Sequence, residues 1–493
     1  MSNNRIHIPL WGALVSRKKP SETIKDPLRA RLKPIPEPSG EELLKGDDKP
    51  PELAAGATPR AGRTTLDETR RKGFFGVLQL LGPGLVTGAS DDDPSGIGTY
   101  SQVGSQFGYG LLWTALFTFP LMSAVQELCA RIALQTGVGL GVSLRRKFPR
   151  WLVGIAILGL LVANTFNIGA DLGAVAAGGA LLSRGAITGL WLIVPVALLI
   201  IGLQLFVTYG TIFKIFKWLT LALFAYVITA FFAHPQLGEV VRSTFIPHLE
   251  LSKDYIMALV AVLGTTISPY LFFWQASSEV DELIAAGATT PLVGRRGLER
   301  SELRAARVDI LIGMAFSNLV MYFIILTSAA VLHAHNKTGI QTADQAAAAL
   351  APFAGPFAFI VFAVGMIGAG LLAIPILAGS ASYALKEFLG LRGNLASKPR
   401  YRPTFYIMLT LATLAGVVMN FLHLDPIRGL FIAAVINGVV APPLLVLITL
   451  LGADRRIMKE HVTGKVSRTL TGAATILMAA AATAMFVTLF THG

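Results

Sequence analysis

The sequence predicts an all-α polytopic membrane protein of eleven transmembrane helices, arranged as two inverted five-helix repeats with one helix added. Three observations predict it. Of 493 residues, 53% are hydrophobic and only 14% charged, which leaves too little polar surface for a soluble globule. The apolar residues fall into eleven runs of about twenty, the length that crosses a bilayer. The first and sixth of these runs are interrupted by proline and polar residues, and they stand five spans apart, the spacing of two repeats whose first helices unwind around a shared midplane site.

Residues 1 to about 72 precede the first run and are Pro-rich with charges of both signs, as in Lys33-Pro34-Ile35-Pro36-Glu37-Pro38. Such a segment buries too little surface to offset its ordering entropy and is expected to be a disordered cytoplasmic tail. It has no apolar core followed by a small-residue cleavage site, so it does not read as a signal peptide. The transporter domain is expected over 73–493, with repeat one at about 76–233, repeat two at about 255–451 and an extra helix at 467–490. The spans are placed near 76–100, 108–131, 152–182, 187–208, 212–233, 255–284, 308–332, 355–385, 404–423, 427–451 and 467–490.

The net charge of +13 sits between these runs, which points to topology and away from nucleic acid. With the amino terminus inside, the inner loops hold Arg145-Arg146-Lys147, Lys214 with Lys217, Arg295-Arg296, Lys398 with Arg400, and Arg455-Arg456. This bias predicts a multi-pass protein of the cell membrane with its carboxyl terminus outside. The single cysteine, Cys129, excludes an intramolecular disulfide and a cysteine-rich metal centre.

The first span contains Gly88-Ala89-Ser90-Asp91-Asp92-Asp93-Pro94-Ser95-Gly96-Ile97-Gly98. An ionised Asp at the bilayer centre costs on the order of 2.5–3.5 kcal/mol, so an acid kept there faces a water-filled path or an ion. Pro94 removes a backbone donor and disfavours helix at Asp93, and the glycines permit an unwound turn. The sixth span carries the matching interruption Gly264-Thr265-Thr266-Ile267-Ser268-Pro269-Tyr270.

Gly82-Pro83-Gly84, Asp93-Pro94-Ser95-Gly96, Gln106-Phe107-Gly108-Tyr109-Gly110-Leu111-Leu112-Trp113, Ala130-Arg131 and Thr136-Gly137 together resemble the first two spans of the NRAMP divalent-metal transporters. The likeness runs over about residues 75 to 450 and loosens beyond the sixth span. It implies the LeuT-type inverted repeat and a metal held at the Asp-Pro-Gly-Asn motif and its partner in the sixth span. Two positions depart from that pattern: Gly96 replaces the motif asparagine, and Ser268-Pro269-Tyr270 stands where the family has Met-Pro-His. Losing a thioether while keeping oxygen donors shifts the preference toward a hard cation, and Mg²⁺ keeps several waters that a site with smaller side chains has room for. The resemblance is thus closest to the NRAMP-related magnesium transporters.

Carried onto this chain, the resemblance implies Asp93 as charged ligand, backbone carbonyls from Ser90 and Thr265, a neutral oxygen from Ser268, and room for water at Gly96. Asp91 and Asp92 have no counterpart in the motif and are expected either to hold an outer-sphere water or to stand solvated in the vestibule. Tyr270 is expected to pack or gate. For proton relay the family uses an acid pair on the third span and histidines on the sixth; here Asp171 is followed by Ala174, and Tyr270 and Gln275 occupy the histidine positions. Uncoupled, gradient-driven uptake of Mg²⁺, with Mn²⁺ as a further cargo, is the expected function. The rivals are a proton-coupled Mn²⁺ or Fe²⁺ symporter and a sodium-coupled carrier of an organic solute.

No cofactor beyond the transported ion, no nucleic acid and no obligate protein partner is expected; the lipid bilayer is the surrounding medium. An enzyme is disfavoured because His-Glu-x-x-His, Gly-x-Ser-x-Gly and a mid-membrane histidine are all missing from the sequence. Glu127 and Arg131 read as an ordinary i,i+4 pair, His333 with His335 as either a solvated loop or an external metal lure, and Asn437 as facing either the pathway or a neighbouring helix. Glu279, Asp281 and Glu282 either attract cations at the inner end of the sixth span or solvate a helix end.

Overall fold

The computed structural model of the protein describes residues 83–207, 221–285, 300–391, 402–422 and 426–491, and every regular element among them is helical. The expected tail and the start of span one lie outside the described residues. So do the basic pairs Lys214 with Lys217, Arg295 with Arg296, and Lys398 with Arg400.

Span one is two helices, α1 (Pro83–Asp91) and α2 (Pro94–Phe107). Asp93 makes the division: it sits in extended geometry, φ −70° and ψ 169°, and caps α2, whose first residue is Pro94. A 3₁₀ turn at Gly108–Leu111 then redirects the chain, and α3 (Trp113–Thr136) leaves at 106°. Gly108 adopts φ +58° at this turn, which moves span two about five residues later than the expected 108–131.

After α4 (Leu140–Lys147) come α5 (Arg150–Leu182) and α6 (Gly189–Phe206). Span five is described only from Leu221, through α7 (Phe224–Phe232), and a surface helix α8 (Leu237–Phe245) follows. Span six divides at Ile267–Ser268 into α9 (Lys253–Thr266) and α10 (Pro269–Ala285). The remaining long helices are α11 (Arg300–Val331), α12 (Ala358–Leu389), α13 (Pro403–Met419), α14 (Pro426–Gly452) and α15 (Lys465–Thr491). Seven helical stretches among the described residues are long and apolar enough to cross a bilayer alone; α13 is shorter, and the stretch Pro94–Leu111 passes together with α3, from which it is bent by 106°.

The packing has the reciprocity of an inverted repeat. α1 lies against α10 and α2 against α9, so each half of one broken helix meets the opposite half of the other. α11, the second helix of repeat two, covers α1 and α2, while α3, the second helix of repeat one, covers α10. α5 and α12, the third helices, pack on each other.

Backbones touch where the broken helices meet their neighbours: a Cβ on Gly88 would stand 2.2 Å from the Gly313 carbonyl oxygen of α11, and one on Gly264 2.2 Å from that of Ala434 on α14. The start of α1 is fixed on α11 by Asp309, whose carboxylate accepts the amides of Gly84 at 2.7 Å and Leu85 at 3.1 Å.

Candidate metal site at the two helix breaks

The break in span one presents its acids in two directions. Asp93 turns toward span six. Its Oδ1 accepts Ser95 Oγ at 2.6 Å and the Gly96 amide at 2.8 Å, and its Oδ2 lies 3.4 Å from the Tyr270 hydroxyl. Tyr270 donates its main bond to the Ser90 carbonyl at 2.8 Å, while its own carbonyl accepts Ser380 Oγ of α12 at 2.6 Å. Ser95 Oγ also stands 3.4 Å from Thr265 Oγ1, which links the two breaks through hydroxyls.

Across from Asp93, Ser268 Oγ donates to the Thr265 carbonyl at 2.7 Å and the Gly264 carbonyl at 2.9 Å. The Ser90 and Thr265 carbonyls, expected to be bare, therefore each already hold one hydroxyl. A carbonyl oxygen has two lone pairs, so each retains acceptor capacity. Gly96 leaves less room than expected, because a Cβ there would stand 3.2 Å from the Tyr100 ring and 3.4 Å from the Asp91 carbonyl oxygen.

Asp91 and Asp92 turn the other way, onto α11. Ser317 Oγ lies 2.7 Å from Asp91 Oδ2 and 3.2 Å from Asp92 Oδ1. The two acids are 1% and 2% exposed, which removes the expectation of solvated vestibule acids; the adjoining helices pack too closely for it. One oxygen of each, Asp91 Oδ1 and Asp92 Oδ2, is buried without a hydrogen-bond partner. Asp171 on α5 is fully buried, and both of its carboxylate oxygens lack partners. Gln275 accepts Thr87 Oγ1 at 2.6 Å and donates to Glu279 at 3.0 Å, so it ties α1 to α10 below the break.

Ser95, Ser317 and Tyr100 are members of this region that sequence reasoning missed. Ser95 was legible, since it sits inside the motif; Ser317 was not, because it is 225 residues from Asp92 and lies in an ordinary apolar helix. No Lys, Arg or His pairs with Asp91, Asp92, Asp93 or Asp171 among the described residues; the ion pairs lie at the other end of the bundle. Nor do three or more His, Cys, Asp or Glu side chains among the described residues converge as a closed metal cage. The other sequence expectations for titratable groups resolve simply. Asp281 accepts the Tyr383 hydroxyl at 2.6 Å, and His333 Nδ1 lies 2.9 Å from the Ser105 carbonyl. Asn437 is buried with both side-chain atoms unpartnered.

Residues 84–488 match the family described as natural resistance-associated macrophage protein-like. The chain belongs to this family. As an Nramp-family protein it is a divalent-metal transporter and not an enzyme, and the metal is its cargo. The solved structures it resembles include a mutant of the Eremococcus coleocola manganese transporter, at 15% identity and a TM-score of 0.66 over 88% of this chain and 89% of that one. The same transporter in complex with an aromatic bis-isothiourea substituted compound matches at 16% identity and a TM-score of 0.65, over 89% and 92% of the two chains. Mhp1, a nucleobase-cation-symport-1 family transporter, matches at 15% identity and a TM-score of 0.51 over 82% and 92%. At these identities the likeness establishes the LeuT-type fold, shared with both cation and organic-solute carriers.

Proposed function

We propose that this Nramp-family protein takes up Mg²⁺ as a partly hydrated ion, down its gradient and without moving protons, and that Mn²⁺ is a secondary cargo. The observation that carries the reading is the donor set around Asp93: a carboxylate, hydroxyls of Ser95, Thr265, Ser268 and Tyr270, and the Ser90 carbonyl, all oxygen. Oxygen donors suit a hard cation, and sulfur or imidazole would be needed to favour softer metals. In this reading Asp93 binds the ion directly, while Ser90, Thr265 and Ser268 reach it through retained waters. Each of those carbonyls already accepts a protein hydroxyl, which fits outer-sphere contact better than direct ligation. Asp91, Asp92, Asp171, Tyr270 and Gln275 would line or gate the path.

The Eremococcus coleocola protein is a manganese transporter, and Mn²⁺ forms the coordination chemistry nearest to Mg²⁺. Lack of coupling is supported by Ala174, which puts a methyl group one turn from Asp171 where a relay would need a second acid. The basic end of the bundle, with Arg145, Arg146, Lys147, Arg455 and Arg456, would face the cytoplasm. Proteoliposomes loaded with a Mg²⁺-sensitive dye, and in parallel with a pH dye, test substrate and coupling together. The expected result is Mg²⁺ entry at constant interior pH. Acidification that follows added Mg²⁺ overturns the uncoupled reading and assigns the proton to Asp171; entry of Mn²⁺ without Mg²⁺ overturns the magnesium assignment.

A further inference from the structure

We infer that Asp91, Asp92, Ser317 and Tyr100 form a second cation station, on the α11 side of the break and apart from the position beside Asp93. Asp93 addresses span six through Tyr270 and Thr265, whereas Asp91 and Asp92 address α11 through Ser317, so the same break offers two carboxylate surfaces. The Ser317 hydroxyl has one proton to donate and lies within reach of both acids, which leaves Asp91 Oδ1 and Asp92 Oδ2 buried and unpartnered.

A further buried polar group stands beside the same break. Tyr100 on α2 is fully buried, and its hydroxyl has no hydrogen-bond partner. Its ring lies against the break, 3.2 Å from where a Cβ of Gly96 would be, and the same Cβ would stand 3.4 Å from the Asp91 carbonyl oxygen. Two carboxylates and a serine hydroxyl, joined by the Tyr100 phenol oxygen, would make an all-oxygen donor set, the kind a hard divalent cation takes.

Two divalent ions a few ångströms apart repel strongly in a low-dielectric interior, so the two stations are filled in turn. A cation entering along α11 would rest on Asp91 and Asp92 and then pass to Asp93 as the breaks rearrange. The station rests on the Nramp-family assignment but not on the choice of Mg²⁺ as cargo, so Mn²⁺ serves as the probe.

The test is equilibrium binding of Mn²⁺, read by electron paramagnetic resonance of free Mn²⁺, to purified full-length protein in detergent. Asp93→Asn is expected to retain saturable binding of one Mn²⁺ per chain, at affinity weakened by about tenfold. Adding Asp91→Asn and Asp92→Asn in that background is expected to abolish it. Because three changes in one break endanger folding, Asp93→Asn with Ser317→Ala, and Asp93→Asn with Tyr100→Phe, are measured beside it; each is expected to weaken the residual binding several-fold. Complete loss of saturable Mn²⁺ binding in Asp93→Asn alone overturns the proposal. So does residual binding that none of the added changes affects. A failure of the magnesium reading leaves this measurement standing, since it requires neither Mg²⁺ nor transport.

Discussion

Buried carboxylates occur at two levels of this bundle, and their surroundings differ. At the basic end, Glu127 of α3 is 5% exposed and receives Arg131 Nη2 at 2.5 Å, Arg307 Nη2 at 3.0 Å and Ser467 Oγ at 3.1 Å. It thereby ties together α3, α11 and α15, and every strong acceptor it offers has a donor. At the breaks, Asp91, Asp92 and Asp171 are buried at least as deeply, yet four of their six oxygens have no partner and no cationic side chain among the described residues answers them.

Burying a charge without a partner costs several kcal/mol, so such a group is kept either as the neutral acid or where something else supplies the countercharge. Glu127 is part of what holds the helices together. On the proposed reading, a cation supplies what Asp91, Asp92 and Asp171 lack.

The largest expected effect tests the second half of that contrast. Asp93→Asn keeps the size, the capping oxygen and the break, and removes only the charge. Divalent uptake in proteoliposomes should fall by about a hundredfold or more, with membrane insertion and monodispersity intact. Mg²⁺ flux at the parental rate would mean that Asp93 is a structural cap and nothing more.

Glu127→Gln tests the first half. It strands the Arg131 guanidinium, whose side chain is 8% exposed, and removing one member of a buried pair typically costs about 3–5 kcal/mol. The melting temperature in detergent should drop by several degrees while flux per folded molecule is retained. A variant that melts normally but no longer transports would erase the distinction between the two levels.

The selectivity of the site separates what small side chains do from what charge does. Gly96→Asn with Ser268→Met adds an amide and a thioether beside Asp93, and the thioether favours softer ions while both displace water that Mg²⁺ sheds reluctantly. Mn²⁺ and Cd²⁺ binding by calorimetry should tighten by about tenfold as Mg²⁺ uptake falls. The Tyr100 ring, already 3.2 Å from a Cβ at position 96, must give way by a few tenths of an ångström. Unchanged preference for all three ions in a folded variant would remove the main physical support for magnesium.

Much of this architecture is legible in the chain because its causes are local. Pro94 and Pro269 cannot continue a helix, and each lies just after a run of polar residues, so both breaks could be placed within a few residues. The resemblance carried by Asp93-Pro94-Ser95-Gly96 points to the family from the sequence alone, and the match over residues 84–488 bears it out.

What stayed hidden depends on contacts between distant segments. Nothing around Ser317 marks it among the apolar residues of α11, and only the close approach of α11 to α1 at Gly84, Gly88 and Gly313 brings it to Asp91 and Asp92. Tyr270 read as packing or gating, and its sequence position says nothing of its rotamer; packed, its hydroxyl reaches Ser90 on the opposite break. Span two began later than its hydrophobicity suggested, since Gly108 turns the chain with a conformation that hydropathy does not encode.

Tyr270→Phe asks how much of the site is held by that one hydroxyl. The change removes a buried bond to the Ser90 carbonyl and a longer contact to Asp93, worth about 0.5–1.5 kcal/mol for a neutral pair. Mg²⁺ uptake should show an apparent affinity weakened up to about tenfold with the maximal rate retained. A lost maximal rate at unchanged affinity would instead assign the tyrosine to the conformational step.

The smallest effect belongs to the basic end and carries the contrast to its surface. Lys147 Nζ of α4 lies 2.8 Å from Asp454 Oδ2 just after α14, with the two side chains 21% and 23% exposed, and it also donates to the Leu450 carbonyl at 2.6 Å. The hydrogen bond from Lys147, helped by the Arg456 amide, holds the Asp454 carboxyl below the usual carboxylate range. A carboxyl depressed in the folded protein contributes stability that is fully present above its unfolded value of about 3.9 and is lost as pH falls through the folded value beneath it.

Asp454→Asn should therefore lower stability at neutral pH by no more than about 1 kcal/mol, because solvent screens a partly exposed pair. The difference from the parent should close on acidification below about pH 3.9, a convergence that melting temperatures across the acid range would reveal. Uptake should be untouched, since the pair is satisfied by its own partners and faces no cargo. A loss of flux in Asp454→Asn would show that the tie between α4 and the end of α14 must be in place for transport, and satisfied charges at this end would then count as part of the transport cycle as well as of the fold.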